Sequence, residues 1–197
     1  MTDLSPITNY LCEAIDTTAA NIEKISPKIE QACQLLTQTL LSDKKILICS
    51  NGLASPIGNL FSAYLTSQQE FARPSLPAIN LSMDPTNILS ISKSTSQHQV
   101  FANQLYALGH EGDTLVTFSI DGNCSNILQA IQAAHEKNMH VIAFSGFDTG
   151  KTSAILQPED IDIHVESKSV ARIIEIQLLT VNSLSHQLDA TLFGGMH

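Results

Sequence analysis

From Lys45 onward, short runs rich in apolar residues alternate with longer segments of helical periodicity. The runs lie at residues 46–49, 77–81, 114–118, 141–144 and 161–165, with Pro, Gly or Asp close to their ends. Continuously apolar runs are typical of strands buried on both faces, and parallel neighbours need crossover helices. The alternation therefore predicts an α/β fold: a doubly wound five-stranded parallel sheet in a flavodoxin-like arrangement.

The segments between the runs carry the expected helices. Apolar residues at three- and four-residue spacing predict helices over about 56–69, around Ile127 and Ile131, and over about 169–192. Residues 161–165 alternate in polarity, which indicates a strand near an edge. The last helix is apolar over more than one face, so we expect it to take part in a subunit interface.

Two further helical stretches precede the sheet. Residues 4–22 and 29–40 repeat apolar side chains with helical spacing, and Ser26 with Pro27 between them suits a cap and a first helical turn. This pattern predicts an N-terminal helical hairpin. We expect residues 1–42 to form a helical extension that packs in the oligomer, and residues 43–197 to form the α/β domain.

Composition excludes several classes of function. The formal net charge is -9, from 19 acidic and 10 basic residues, which disfavours direct nucleic-acid binding. No apolar run approaches the ~20 residues of a membrane span, and the start lacks a signal-peptide pattern. We therefore expect a soluble, cytoplasmic protein without membrane contact. The four cysteines stand far apart, and no H-E-x-x-H pattern occurs, so neither a metal nor another cofactor is expected.

A ligand is expected beyond the carboxyl ends of the strands, where loop amides and helix N-termini point outward. Two loops, 50–55 and 119–125, fit that location, and neither matches a dinucleotide or nucleoside triphosphate motif. Their small hydroxyl and amide side chains suit a phosphate monoester, although ordinary strand-to-helix turns prefer the same residues. The candidate pocket residues are Asn51, Gly52, Ser55, Ser119, Asp121, Gly122 and Asn123.

Several short motifs carry a family resemblance. The stretches 49–52 (CSNG), 73–79 (RPSLPAI), 107–110 (ALGH) and 122–123 (GN) occur in the order seen in phosphoheptose isomerases. The chain resembles the sugar isomerase (SIS) domain family throughout. Residues 146–148, 171–173, 179–182 and 191–193 are more similar to a subgroup that associates with the replication initiator DnaA. That subgroup implies a homotetramer with DnaA as partner.

The resemblance also implies where catalytic groups would stand. Active members place His and Glu on the helix after the first loop, facing Gln and His on the last helix, to bind a metal and move protons. The matching positions here are Leu60, Tyr64, Ile174 and Asn182. Leucine and isoleucine offer no lone pair and take no proton, so these positions predict neither a metal nor a catalytic residue. Asp121 would repel a phosphate, which indicates a vestigial phosphosugar pocket.

From this substitution pattern we expect a noncatalytic adaptor that binds DnaA as a homotetramer and promotes initiation of chromosomal replication. Leu192 and Phe193, at the end of the last helix, are the candidate docking residues. Packing of Phe193 against its own subunit is the alternative. Two other functions stay open: an isomerase of sedoheptulose 7-phosphate, and a sensor that binds a phosphosugar without converting it.

Overall fold

The computed structural model describes residues 5–67, 72–147 and 150–194. Its five strands are β1 (Ile46–Ser50), β2 (Ala78–Asn80), β3 (Thr114–Phe118), β4 (His140–Gly146) and β5 (Ile161–Val165). All neighbouring pairs are parallel, and the strand order is β2-β1-β3-β4-β5. The predicted doubly wound five-stranded sheet is confirmed.

Helices flank the strands along the described part of the chain. They are α1 (Pro6–Leu41), α2 (Ser55–Thr66), α3 (Pro85–Ser94), α4 (Ala102–Leu108), α5 (Ser125–Glu136), α6 (Gly150–Ile155) and α7 (Val170–Phe193). Short 3-10 helices lie at Gly52–Ala54 and Gln97–Gln99. The predicted helix over 56–69 corresponds to α2, and its expected end at Gln69 lies outside the described residues.

Alternate strand residues face two separate hydrophobic clusters. Ile48, Val116 and Phe144 point to the side covered by α1, α2 and α7. Leu47 and Leu115 point to the side covered by α4 and α5. Both faces of the central strands are buried, which explains why their sequences are mostly apolar. By contrast, β5 alternates between buried and half-buried residues at the sheet edge, as predicted.

The N-terminal region differs from the predicted hairpin, because α1 is one helix of 36 residues that continues through Pro27. A proline inside a helix removes one backbone hydrogen bond but does not reverse the chain. The buried side chains of Ile25, Cys33 and Leu36 lie at helical spacing on both sides of Pro27. This continuous contact with α7 and β5 stabilises the straight path, and the hairpin expectation is wrong.

The two halves of α1 have different surroundings. The C-terminal half contributes Ala32 and Leu36 to the core, whereas Ile7, Leu11 and Ile15 in the N-terminal half are more than half exposed. The division of the chain at residues 42 and 43 therefore stays a prediction. No helix within the described residues is long and apolar enough to cross a membrane.

Candidate functional site

The sheet reverses its winding between β1 and β3, which lie side by side with β2 beyond β1 and β4 beyond β3. At the carboxyl ends of these two strands, the backbone N–H of Asn51 donates to the carbonyl oxygen of Phe118 at 3.1 Å. The loops that follow β1 and β3 must therefore separate toward opposite faces of the sheet. Such a crevice is the usual ligand site of an open α/β sheet.

A cavity of about 400 Å³ opens beside this crevice. Asn51 from the first loop and Ser125 with Asn126 from the start of α5 form one wall. The segment that contains α3 and the second 3-10 helix forms the other. That second wall consists of Ile88, Leu89, Ser92, Gln97, His98 and Val100. Its size and its mixture of apolar and neutral polar groups suit a small polar ligand.

A reciprocal pair of amides joins the two loops at the cavity wall. Asn51 Nδ2 donates to Asn126 Oδ1 at 2.7 Å, and Asn126 Nδ2 donates to Asn51 Oδ1 at 3.1 Å. Each amide thereby fixes the orientation of the other. The pair leaves one Nδ2 hydrogen on Asn126 for a further acceptor, such as a sugar hydroxyl or a phosphate oxygen, while the Asn51 amide also donates to the thiol of Cys124.

Gly52 and Ser55, in the same loop, do not line the cavity. Gly52 is exposed and adopts a φ of 53°, a left-handed conformation that glycine adopts without strain. Ser55 is half-buried, and its hydroxyl lies 3.5 Å from the carbonyl oxygen of Ser50. Of the three pocket residues predicted in this loop, the structure places only Asn51 in the cavity wall.

In the second loop, Ser119 and Asp121 mainly stabilise the loop itself. The buried Ser119 hydroxyl donates to the carbonyl oxygen of Asp121 at 2.6 Å. Asp121 Oδ1 accepts from the backbone N–H of Asn123 at 2.8 Å. Burial raises the pKa of Cys124 despite the opposing hydrogen bond from Asn51, and the Asp121 carboxylate adds to the rise, so this thiol stays protonated at neutral pH. Neither Ser119 nor Asp121 lines the cavity.

The following two residues are bonded to α6. The Gly122 carbonyl oxygen accepts from both the backbone N–H and the hydroxyl of Thr152, at 2.9 and 3.0 Å. Asn123 Oδ1 accepts from the backbone N–H of Lys151 at 3.3 Å. Neither Gly122 nor Asn123 lines the cavity, and their role in a pocket stays a prediction.

The four positions matched to the family's catalytic groups lie on α2 and α7, two helices that pack together. Tyr64 and Ile174 are partly buried against the core, Leu60 is half-buried, and Asn182 is exposed. Aliphatic side chains cannot ligate a metal. Among the described residues, no three His, Cys, Asp or Glu side chains lie close enough to hold one. The donor set at these positions does not fit a metal, and we derive no metal-assisted step.

Leu192 and Phe193, the predicted docking residues, both contact their own subunit. Leu192 packs partly buried against the core cluster beneath α7. The guanidinium of Arg73 lies 5.7 Å from the centroid of the Phe193 ring, a cation–π contact. Packing of Phe193 against its own subunit was the alternative to a docking role in the sequence analysis.

Sequence reasoning missed most of the cavity. Asn126 follows the second loop directly but lies on the first turn of α5, so a prediction limited to loop residues does not include it. Residues 82–108 carry no clear helical or strand periodicity, so the sequence gives no signal for the wall from Ile88 to Val100. Only the packing of this segment over the loops reveals its role.

Comparisons with known proteins identify the family of the chain. The SIS domain family model matches residues 9–146. Phosphoheptose isomerase from Chromohalobacter salexigens is 40% identical over 190 residues, which cover 96% of both chains. The relative of that name from Colwellia psychrerythraea is also 40% identical, over 96% of this chain and 97% of its own. The structure of a phosphoheptose isomerase from Francisella tularensis superposes with a TM-score of 0.91 at 33% identity, covering 96% and 99% of the two chains.

The chain therefore belongs to the SIS domain family. The same relatives contradict two expectations from the sequence, a noncatalytic adaptor for DnaA and the absence of enzymatic activity, because those relatives are named as isomerases. Both expectations depended on four side chains of α2 and α7. The 40% identity instead extends over 190 residues, or 96% of the chain. The two expectations are corrected accordingly.

Proposed function

We propose that this protein is a phosphoheptose isomerase, which interconverts the ketose and aldose forms of a seven-carbon sugar phosphate such as sedoheptulose 7-phosphate. The observation that carries the proposal is the 40% identity, over 96% of the chain, to relatives of that name. The cavity at the carboxyl ends of β1 and β3 supports it, because about 400 Å³ is enough for a sugar phosphate of this size.

The walls of the cavity also suit this substrate. Asn126 offers an amide hydrogen to hydroxyl or phosphate oxygens. Ser92 and Ser125 add hydroxyl groups, and no carboxylate stands among the described residues that line the cavity. A dianionic ligand would therefore meet donors rather than like charge. The Asp121 carboxylate was expected to repel a phosphate. In the structure it accepts a hydrogen bond within its own loop instead.

The test is conversion of sedoheptulose 7-phosphate by purified protein, followed by NMR of the sugar carbons. We expect aldose product to form with a rate proportional to protein concentration. Calorimetry on the same preparation measures binding. Binding without conversion would reject the isomerase and favour a phosphosugar sensor, whereas neither binding nor conversion would reject both.

We further propose that the protein is a homo-oligomer, with the tetramer as the expected form. Ile7, Leu11 and Ile15 on α1, together with Leu178 and Leu179 on α7, expose apolar side chains that a second copy could cover. Residues 1–42 would then contribute to the interface, as expected from the sequence. Light scattering coupled to size-exclusion chromatography tests the state, and a monomer at micromolar concentration would reject it. The cytoplasmic location stays a prediction.

A further inference from the structure

One buried amide joins α7 to the loop that follows β3. Gln177 on α7 is fully buried, and its Nε2 donates to the backbone carbonyl oxygen of Ser119 at 2.8 Å. Ser119 is the residue directly after β3, where the loop 119–125 begins. The two residues are 58 apart in the sequence, so this hydrogen bond holds the start of the loop against a distant helix.

An amide is a costly side chain at position 177. Its Oε1 is buried and has no hydrogen-bond partner within the described residues. A buried polar atom without a partner opposes folding, whereas an apolar side chain of similar size would pack there without that loss. The neighbours on the same helix are apolar, since Ile173, Ile176 and Val181 belong to the core. Stability alone therefore does not account for Gln177, and the contact that its side chain does make is with the loop.

The hydrogen bonds continue from Ser119 through the loop. The Ser119 hydroxyl donates to the carbonyl oxygens of Asp121 and Phe144, at 2.6 and 3.2 Å. Asp121 Oδ1 in turn accepts from the backbone N–H of Asn123 at 2.8 Å and from the thiol of Cys124 at 3.7 Å. The loop from Ser119 to Cys124 is therefore held as one unit.

The far end of this network is the cavity wall. The Asn51 amide donates to the Cys124 thiol and also pairs with Asn126. Ser125, which follows Cys124 directly, lines the same cavity as Asn51 and Asn126. A shift of the loop at Ser119 would therefore move the groups that face a ligand, although Ser119 itself does not line the cavity.

We propose that Gln177 is a positioning residue for substrate binding: its hydrogen bond to Ser119 holds loop 119–125, and thereby the cavity wall, in the position that binds the sugar phosphate. This role rests on the proposed function. Gln177 does not line the cavity, so its effect passes through the loop. Loss of the hydrogen bond should weaken binding of the substrate and of the transition state alike, which raises KM and leaves kcat nearly unchanged.

The experiment compares the wild-type protein with Gln177→Met and Gln177→Asn. Methionine keeps the volume but has no N–H donor, and asparagine keeps the amide on a side chain that is one methylene shorter. In both variants KM for sedoheptulose 7-phosphate, and Kd from calorimetry, should rise about tenfold while kcat stays within about twofold. Without sugar, the backbone amides of residues 119–125 should exchange with deuterium faster than in the wild type.

Thr180→Val is the matched control. Thr180 is another fully buried polar residue of α7, but its hydroxyl donates to the carbonyl oxygen of Ile176 in its own helix, at 2.8 Å. This variant should match the wild type in KM and in the exchange of the loop amides. Urea denaturation first establishes that each variant folds. The two replacements of Gln177 differ in shape, so one folded variant is enough for the comparison.

The two failures are distinguishable. A wild-type protein that neither binds nor converts the sugar overturns the proposed function and the role of Gln177 with it. Binding without conversion overturns the isomerase alone, and Kd then decides the role of Gln177. Unchanged affinity and loop exchange in both Gln177 variants overturn that role alone. An equal rise of KM in Thr180→Val, a fall in kcat without a rise in KM, or failure of both Gln177 variants to fold also overturns it.

Discussion

Asp189 Oδ1 on α7 lies 2.8 Å from Nε of Arg73, and both side chains are more than nine-tenths buried. Arg73 also donates to the carbonyl oxygens of Tyr64 and Leu65 at the end of α2. The ring of Phe193 covers the same guanidinium. One buried cation therefore joins α2 to the C-terminal part of α7.

Removing Asp189 should destabilise the fold strongly. Asp189→Ala leaves the Arg73 cation buried without its carboxylate, which should lower the free energy of unfolding by about 3–5 kcal/mol. Urea denaturation measures this change. The matched control is the exposed ion pair of Lys24 and Glu166, where Lys24→Ala should have no measurable effect because solvent screens both charges. Equal losses in the two variants would contradict the prediction.

Asp113 should make stability depend on acid pH. Burial opposes its charge, yet hydrogen bonds from Lys45 Nζ and from the backbone N–H groups of Lys45 and His110 outweigh burial and lower the pKa of Asp113 below 3.8. Because the folded-state pKa is the lower one, the stabilisation is complete above the ordinary value and is lost as the pH falls through the folded value.

The Asp113→Ala protein should therefore be about 2–3 kcal/mol less stable than wild type at pH 7, through loss of these charge-assisted hydrogen bonds. The difference should narrow as the pH falls below 3.8, since the wild-type carboxylate is then progressively protonated. Urea denaturation across this range provides the measurement. A difference that is independent of pH would show that the Asp113 charge is not responsible.

Gly146 lies at the end of β4, where no larger residue fits. A Cβ at this position would stand 2.7 Å from Cγ2 and 2.8 Å from Cγ1 of the fully buried Ile173. We expect Gly146→Ala to cost about 1–3 kcal/mol by overpacking. Thermal unfolding of the single and double variants tests this, because Ile173→Ala removes the clashing atoms. In the Ile173→Ala background, the same substitution at Gly146 should cost much less.

The amide pair at the cavity should matter for binding more than for folding. Asn126→Ala removes the partner that orients Asn51, which should weaken binding of sedoheptulose 7-phosphate about tenfold, or about 1.4 kcal/mol. Calorimetry measures the affinity. Gln132→Ala on the exposed side of α5 removes an amide of similar kind away from the cavity and should leave the affinity unchanged. A comparable loss in both variants would exclude a specific role for the pair.

The positions of the strands could be predicted because strands that are buried on both faces consist mostly of apolar residues. This holds for 114–118, where the predicted run and β3 coincide. The sequence could not show that α1 is one continuous helix, because Pro27 is compatible both with the start of a new helix and with the interior of a longer one. Contact of Ile25 and Leu36 with one common core decided between them.

The candidate site also has one part that the sequence predicted and another that only the tertiary structure showed. The sequence by itself determined the sheet, its order of strands and helices, and the placement of Asn51 at a strand's carboxyl end, since these follow from local periodicity and chain connectivity. Only the tertiary structure decided which groups face the cavity. His98 and Asn126 are 28 residues apart, and Asn51 and Asn126 are 75 apart. These three residues come together because segments distant in the sequence pack against each other, and no local sequence pattern predicts that packing.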